Sequence, residues 1–211
     1  MDLCCDCEKE LPFLQNYCKR CAEPLSSGQG TCGACLNAPV LNLNTTALFC
    51  YQSPVDQLII DLKFKNNLVS AKILGELLGK YLYEYYQDKT KPEVIVPVPL
   101  HASRLRERGY NQALELARPV AKKLNIPIDR LSITRVKSTL PQMGLSAKKR
   151  RNNIKRAFNA NDKFRYRHVA LVDDVITTGN TIFELCRLLK TSGVKKVDMW
   201  CPAKANNKLI T

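Results

Sequence analysis

Apolar and polar residues fall along this chain in blocks whose period switches repeatedly between that of a strand and that of a helix. Residues 169–172 (VALV) are four consecutive apolar positions, the pattern of a strand covered on both faces. Beyond them Ile182, Leu185, Cys186 and Leu189 form a helical stripe. Earlier, residues 45–52 (TTALFCYQ) are rich in β-formers. Val55, Leu58, Ile59 and Leu62 then mark a helix, with Ser53 as its expected cap and Pro54 at its first position. A second helix over about 68–87 repeats the period with Ile73, Leu74, Leu77, Leu78, Tyr81 and Leu82. Its tyrosines (Tyr81, Tyr83, Tyr85, Tyr86) are read as packing and surface residues. Residues 94–99 (VIVPVP) predict a strand running into a proline-stiffened loop. Ala113, Leu114, Ala117, Val120, Ala121 and Leu124 give another helix, with Pro119 expected to kink it. After a turn at Gly193, residues 196–201 (KVDMWC) make a last strand. Strands alternating with helices predict an α/β fold, doubly wound on a mainly parallel sheet.

The chemistry concentrates where the strand 169–172 ends. Asp173 and Asp174 follow it, and Thr177, Thr178, Gly179, Asn180 and Thr181 open the next helix. Helix N-termini carry N–H groups without intrahelical partners and a dipole that favours an anion. Glycine lets the backbone approach a phosphate closely. Two carboxylates would repel that phosphate unless they do other work, such as accepting bonds from sugar hydroxyls. The thirteen residues VALVDDVITTGNT resemble the phosphoribosyl pyrophosphate (PRPP) signature of type I phosphoribosyltransferases. The resemblance implies that Asp173 and Asp174 hold the ribose 2′- and 3′-hydroxyls and that Thr177 to Thr181 hold the 5′-phosphate. Strand ends are where ligands bind in open α/β folds. The loop LHASRLRERGYNQ after residues 94–99 offers Arg104, Arg106 and Arg108, whose planar forks suit pyrophosphate. His101 is expected to serve as a loop hydrogen-bonder.

Cysteine changes the picture at the N-terminus. Seven of the ten cysteines lie in residues 1–40, and Cys4/Cys7, Cys18/Cys21 and Cys32/Cys35 each enclose two residues. A pair of CxxC turns supplies four thiolates to a tetrahedral Zn²⁺ with no open position, a structural site. Cys18, Cys21, Cys32 and Cys35 are the preferred ligand set. Three roles stay open for Cys4, Cys5 and Cys7: replacing one knuckle, joining a second ion, or standing free. The start MDLCCDCEKE lacks a basic region and an apolar core, and no apolar run approaches the roughly 20 residues that span a bilayer. A cytoplasmic location is therefore expected, in which metal binding is favoured over disulfides. Residues 37–44 (NAPVLNLN) read as a linker. The expected organisation is a zinc-binding ribbon over 1–40 and a phosphoribosyltransferase-like domain over 45–211.

The net charge of +14 implies a polyanionic partner or ligand. Residues 135–167 hold eleven Lys and Arg against one acid, Asp162, and so carry ten of those fourteen charges. Residues 139–144 (TLPQMG) predict a hinge, and residues 146–157 a helix capped by Ser146, within a mobile basic loop of about 138–158. On that helix Lys148, Arg151, Lys155 and Arg156 share one face, and Arg150, Asn153, Ile154 and Ala157 the other. Solvated faces usually mix signs, and this one does not. The four basic residues are the expected contacts to an external polyanion. Phe158, Phe164 and Tyr166 lie nearby, as stacking partners for bases or as core.

The segments CKRCAEPL, CGACL, LKFK, VPVPLHASRLRERGYNQALELA, TLPQMGLSAKKRRNNIKRAF and VALVDDVITTGNT, in that order, resemble the competence protein ComF family over nearly the whole chain. That resemblance implies an N-terminal zinc ribbon on a phosphoribosyltransferase-like domain and a role in natural transformation. It also implies single-stranded DNA, PRPP with Mg²⁺ and other DNA-uptake proteins at the inner membrane as partners. No segment after the last strand is expected to form a base-covering hood, and nothing presents an obvious nucleobase pocket. Binding is therefore ranked above catalysis. The alternatives are a working phosphoribosyltransferase that releases pyrophosphate from PRPP, and a ribbon scaffold with a vestigial site.

Overall fold

A computed structural model describes residues 3–26, 30–37, 42–137 and 156–205. Its centre is a parallel sheet built from β1 (Asn42–Cys50), β2 (Val94–Pro97), β5 (His168–Val172), β6 (Val175–Ile176) and β7 (Lys196–Lys204), in the order β1-β7-β5-β2, with β6 also on β7. β3 (Ile133–Arg135) and β4 (Phe158–Ala160) form a separate antiparallel pair, and two short helices, α1 (Cys5–Lys9) and α2 (Gly33–Leu36), lie in the N-terminal segment.

The alternation along β5 explains the layering. Ala170 and Val172 point into a core made with α3 (Val55–Phe64), α4 (Leu68–Tyr85) and α6 (Gln112–Leu124). Val169 and Leu171 point into the opposite core, with Ile182, Leu185, Cys186 and Leu189 of α7 (Asn180–Thr191). Every β5 residue is buried, as a doubly covered strand requires. α4 and α6 approach closely because Gly75 has no side chain: a Cβ there would stand 2.4 Å from Pro119 Cγ. α6 runs on through Pro119.

β7 is longer than residues 196–201 predict, and it contains Pro202. A proline cannot donate to a ladder. The register accommodates it: β5 pairs β7 up to Val172 with Trp200, and β6 resumes at Val175 with Ala203. Pro202 falls in the gap between the two ladders, beside the Asp173–Asp174 step. The interruption that places the two carboxylates is therefore matched on the neighbouring strand.

Three other expectations are corrected, and one open alternative is decided. Residues 42–44, read as linker, begin β1, because their register with β7 starts at Asn42 and Lys196. Pro54, not Ser53, occupies the cap position of α3, and no side chain caps that helix. The loop after β2 contains a short helix, α5 (Ala102–Arg108), with His101 accepting the Ser103 N–H at 3.3 Å and Gly109 (φ 82°) closing it. Phe158 and Phe164 are core, not stacking surfaces; both are buried in the cluster around α7.

The tyrosines of α4 divide as expected. Tyr86 is buried and donates to Asp198 at 2.6 Å, an acceptor shared with His168 Nε2 at the end of the sheet away from Asp173. Tyr81 and Tyr83 are exposed. The N-terminal segment lies along β1: Leu14 N–H donates to Leu48 (2.9 Å), Cys50 N–H to Pro12 (2.8 Å) and Thr45 N–H to Lys19 (2.6 Å). Among the described residues no helix is long and apolar enough to cross a membrane.

Candidate functional site

Asp173, Val175, Ile176, Thr177, Thr178, Gly179, Asn180, Thr181 and Ile182 line one solvent-open hollow of about 230 Å³ at the carboxyl end of β5. Gly179 makes the turn. It sits at φ 73°, in the left-handed region, and caps α7 with no side chain; a Cβ there would stand 3.3 Å from the Phe183 ring. Among the described residues, the backbone N–H groups of Thr177, Thr178 and Gly179 donate to no other backbone group. Three such donors at the N-terminus of a twelve-residue helix form an anion cradle.

The carboxylates behind it are held differently. Asp174 is buried, and its Oδ1 pairs with Lys63 Nζ of α3 at 2.8 Å. Its Oδ2 is buried without a hydrogen-bond partner among the described residues, an acceptor already desolvated. Burial alone would lower the Lys63 ammonium, but Asp174 and then Asp173 outweigh it and hold Lys63 above its ordinary value. Asp173 Oδ1 accepts the Asp174 N–H at 2.9 Å. Burial, and next the neighbouring Asp174, push the Asp173 carboxyl up to about 7. Arg135 lies close enough to oppose that shift, and Arg104 close enough to lower Arg135 in turn after burial has done so. His101 bridges Arg135 in a parallel β contact, which brings the start of α5 against β3.

The shift at Asp173 has a sign that can be checked. An ordinary aspartate titrates near 3.9, whereas this one keeps its proton until about 7. The folded state therefore binds the extra proton between those values, and stability contributed here is lost as pH rises through the window. Asp173→Asn should melt together with the wild type below about pH 4, the ordinary aspartate value, and above it at pH 8. Because the group is partly solvated, the difference should be about 1–2 kcal/mol, or roughly 2–8 °C. Melting curves that stay superimposed across that range would overturn the assignment.

Of the three arginines after β2, Arg104 is the one that lies near Arg135. Arg108 donates to Gln112 Oε1 at 2.6 Å and lies 5.8 Å from the Phe64 ring centroid, and Arg106 is exposed. The rest of RGYNQ is structural. Tyr110 OH donates to the Leu62 carbonyl, Asn111 Nδ2 to Val98 O at 3.1 Å, and Asn111 Oδ1 caps α6 at the Ala113 N–H. Three site residues were missed from sequence: Lys63, Arg135 and Lys204. Lys63 had a signal, since it lies four residues after Ile59, on the buried stripe where an apolar residue belongs.

Cys18, Cys21, Cys32 and Cys35 form the second centre, with all four Sγ atoms within 4.8 Å of one another and Cys21 Sγ 3.6 Å from Cys32 Sγ. Tetrahedral Zn–S bonds of about 2.3 Å place sulfurs about 3.8 Å apart. The donors fit. Burial pushes Cys35 up to about 12. At Cys18 burial is outweighed by the N–H groups of Cys32, Arg20 and Cys21, which leave the thiol at about 7. A cation supplies the charge that four partly buried thiolates need, so the cluster can hold a metal such as zinc. Cys4, Cys5 and Cys7 are exposed and outside this cluster.

Of the basic residues assigned to DNA, Lys148, Arg151 and Lys155 lie outside the described residues, as do the hinge and most of the expected helix. Arg156 is described. It sits in a turn at φ 55° and donates its N–H to Glu184 of α7, and Ala157 is not helical, so the helix does not reach 157. A positive φ cannot continue a right-handed helix.

A parallel sheet ending in paired carboxylates, with a glycine-capped phosphate turn after them, defines a protein of the phosphoribosyltransferase class. Residues 66–210 match the phosphoribosyl transferase domain family. The chain belongs to the competence protein ComF family. It is 39% identical over 210 residues to Competence protein F of Haemophilus influenzae, covering 96% of this chain and 90% of that protein. It is 33% identical over 203 residues to DNA utilization protein YhgH of Escherichia coli K12, covering 94% of this chain and 88% of that one. Among solved structures, a purine phosphoribosyltransferase of Pyrococcus horikoshii aligns over 78% of this chain and 79% of its own, at 19% identity and a TM-score of 0.35.

Proposed function

We propose that this protein handles single-stranded DNA during natural transformation, with a PRPP/Mg²⁺ site on the same body. One observation carries the reading. The stretch from Arg135 to Arg156 holds eight of the fourteen net charges and is rooted near the phosphate hollow, with Arg135 beside Asp173 at one root and Arg156 against Glu184 of α7 at the other. The relatives named for competence and for DNA utilization support it. Asp173 and Asp174 would hold the ribose hydroxyls, Thr177 to Thr181 the 5′-phosphate, and Arg104 the pyrophosphate; Lys148, Arg151, Lys155 and Arg156 would track the DNA backbone. Mg²⁺ would arrive with PRPP and neutralise its pyrophosphate. Zinc would close the four-cysteine centre.

DNA contacts of this kind release counterions, so affinity should fall steeply with salt and depend little on base sequence. Changing Lys148, Arg151, Lys155 and Arg156 together to Gln should weaken binding of a labelled oligonucleotide. It should also reduce the salt slope by at most about 3, at roughly 0.7 per phosphate contact. Unchanged affinity and slope would move the DNA site elsewhere. The same preparation should melt higher with millimolar PRPP and Mg²⁺, by mass action; the absence of any shift would mark the hollow as vestigial. A second reading, phosphoribosyl transfer, is favoured by the gathering of Lys63 and Arg135 round the carboxylates, with Arg104 beside Arg135, where departing pyrophosphate would need positive charge. Pyrophosphate release from PRPP, with and without oligonucleotide, separates the two.

A further inference from the structure

We infer that Lys204 couples the metal state of the cysteine cluster to the grip of the phosphate turn. The inference rests on the reading of that turn as a PRPP site. Lys204 ends β7, and its side chain is 2% exposed. A buried ammonium has three protons to place, and an unpaired one is costly. Here all three have acceptors: Thr177 O at 3.1 Å, Ala205 O at 2.6 Å and Glu23 Oε2 at 3.1 Å. Glu23 is the one anion among them.

Each end of this strut touches a working part. Thr177 opens the phosphate turn, and its carbonyl shares a rigid peptide plane with the Thr178 N–H, which points the opposite way. Holding the carbonyl from beneath therefore fixes the direction of a donor in the hollow that Thr178 lines. Glu23 follows Cys21 by two residues, and its own carbonyl accepts the Cys18 N–H at 2.8 Å. The position of Glu23 is thus set by the knuckle that the metal would close. Without the metal the knuckle opens, Glu23 withdraws, and Lys204 is left buried with neutral acceptors only. The Thr177–Thr178 peptide then loses its fixed support. Lys204 is a positioning residue, acting on the ligand through the turn.

Such coupling is reciprocal: if zinc tightens PRPP, PRPP must tighten zinc by the same factor. The experiment uses the full chain loaded with zinc. Zinc affinity is measured by equilibrium competition with a chromophoric chelator, with and without saturating PRPP and Mg²⁺, and PRPP binding is titrated directly by calorimetry. PRPP should raise zinc affinity about fivefold or more, within the usual range of allosteric factors. Glu23→Ala, a change at a side chain 37% exposed, should still bind both partners while the factor falls below about two. Lys204→Met should do the same wherever it folds. Equal zinc affinity with and without PRPP, in protein that calorimetry shows to bind PRPP, would overturn the coupling alone. Full coupling in Glu23→Ala would overturn the role of the strut. Absence of PRPP binding in zinc-loaded protein would remove the site reading and the inference together.

Discussion

Replacing Cys21 or Cys35 by serine should unfold the whole N-terminal ribbon, the largest single effect expected in this protein. Structural zinc contributes an apparent 10–16 kcal/mol in small metal domains, about as much as the entire stability of an ordinary domain. The ribbon has few substitutes for it. Apart from the two buried cysteines, Leu11 and Ala22 are its buried apolar residues among those described, too few for an independent core. Wild-type protein purified under reducing conditions without chelator should carry about one zinc per chain, and either serine variant almost none. Amide exchange should then rise at the Cys18 and Leu25 N–H groups, which now donate within the ribbon to Glu23 and Asn16 at 2.8 and 2.7 Å. Zinc-free wild-type protein, or a serine variant that keeps both zinc and protection, would sink this account.

The second large effect is expected at Lys63. Removing one member of a buried ion pair leaves the other charge without compensation, typically at about 3–5 kcal/mol. Lys63→Met would leave Asp174 next to Asp173 with no ammonium, and the melting temperature should drop by roughly 6–20 °C. Lys63→Met combined with Asp174→Asn should recover most of that loss, since the demand for a counter-charge goes with the carboxylate. PRPP binding should fail in both. If the single variant melts within about 2 °C of wild type, or the double variant is no better than the single, the pair does not matter to the fold. The pairing also changes what substitution of Asp174 alone measures: Asp174→Ala strands Lys63, so lost binding there mixes ligand contacts with damage to the fold.

The sequence made legible whatever depends on local period or fixed spacing. The run 169–172, the stripe from Ile182 and the CxxC pairs each announce an element or a cluster without help from elsewhere in the chain. Legibility stopped where a residue is defined by a distant partner. Lys204 matters because Glu23 and Thr177 lie against it. A lysine near the end of a strand carries no sign of such contacts. Arg135 likewise depends on the bridge between β3 and His101. Short elements misled for another reason. The prolines and glycine around residues 97–109 suggest an open loop, yet His101 as cap and Gly109 as stop frame seven helical residues between them. The expected linker at 42–44 became strand because β7 offers it a partner, and pairing overrides the weak β-propensity of Asn42 and Asn44.

The hydrogen bonds from residues 12–19 to β1 also have a protective consequence. β1 is the outermost strand of its side of the sheet, and its run TTALFC has strong β-propensity and no charge. An open edge of that kind is a template for strand addition between chains. The ribbon shields it, most directly at the Phe13–Phe49 bridge. Zinc loss would therefore expose a sticky margin on an otherwise intact sheet. Metal-starved chains are expected to self-associate edge to edge and leave solution, so that scarcity of zinc lowers the amount of this protein before it degrades the quality of its site.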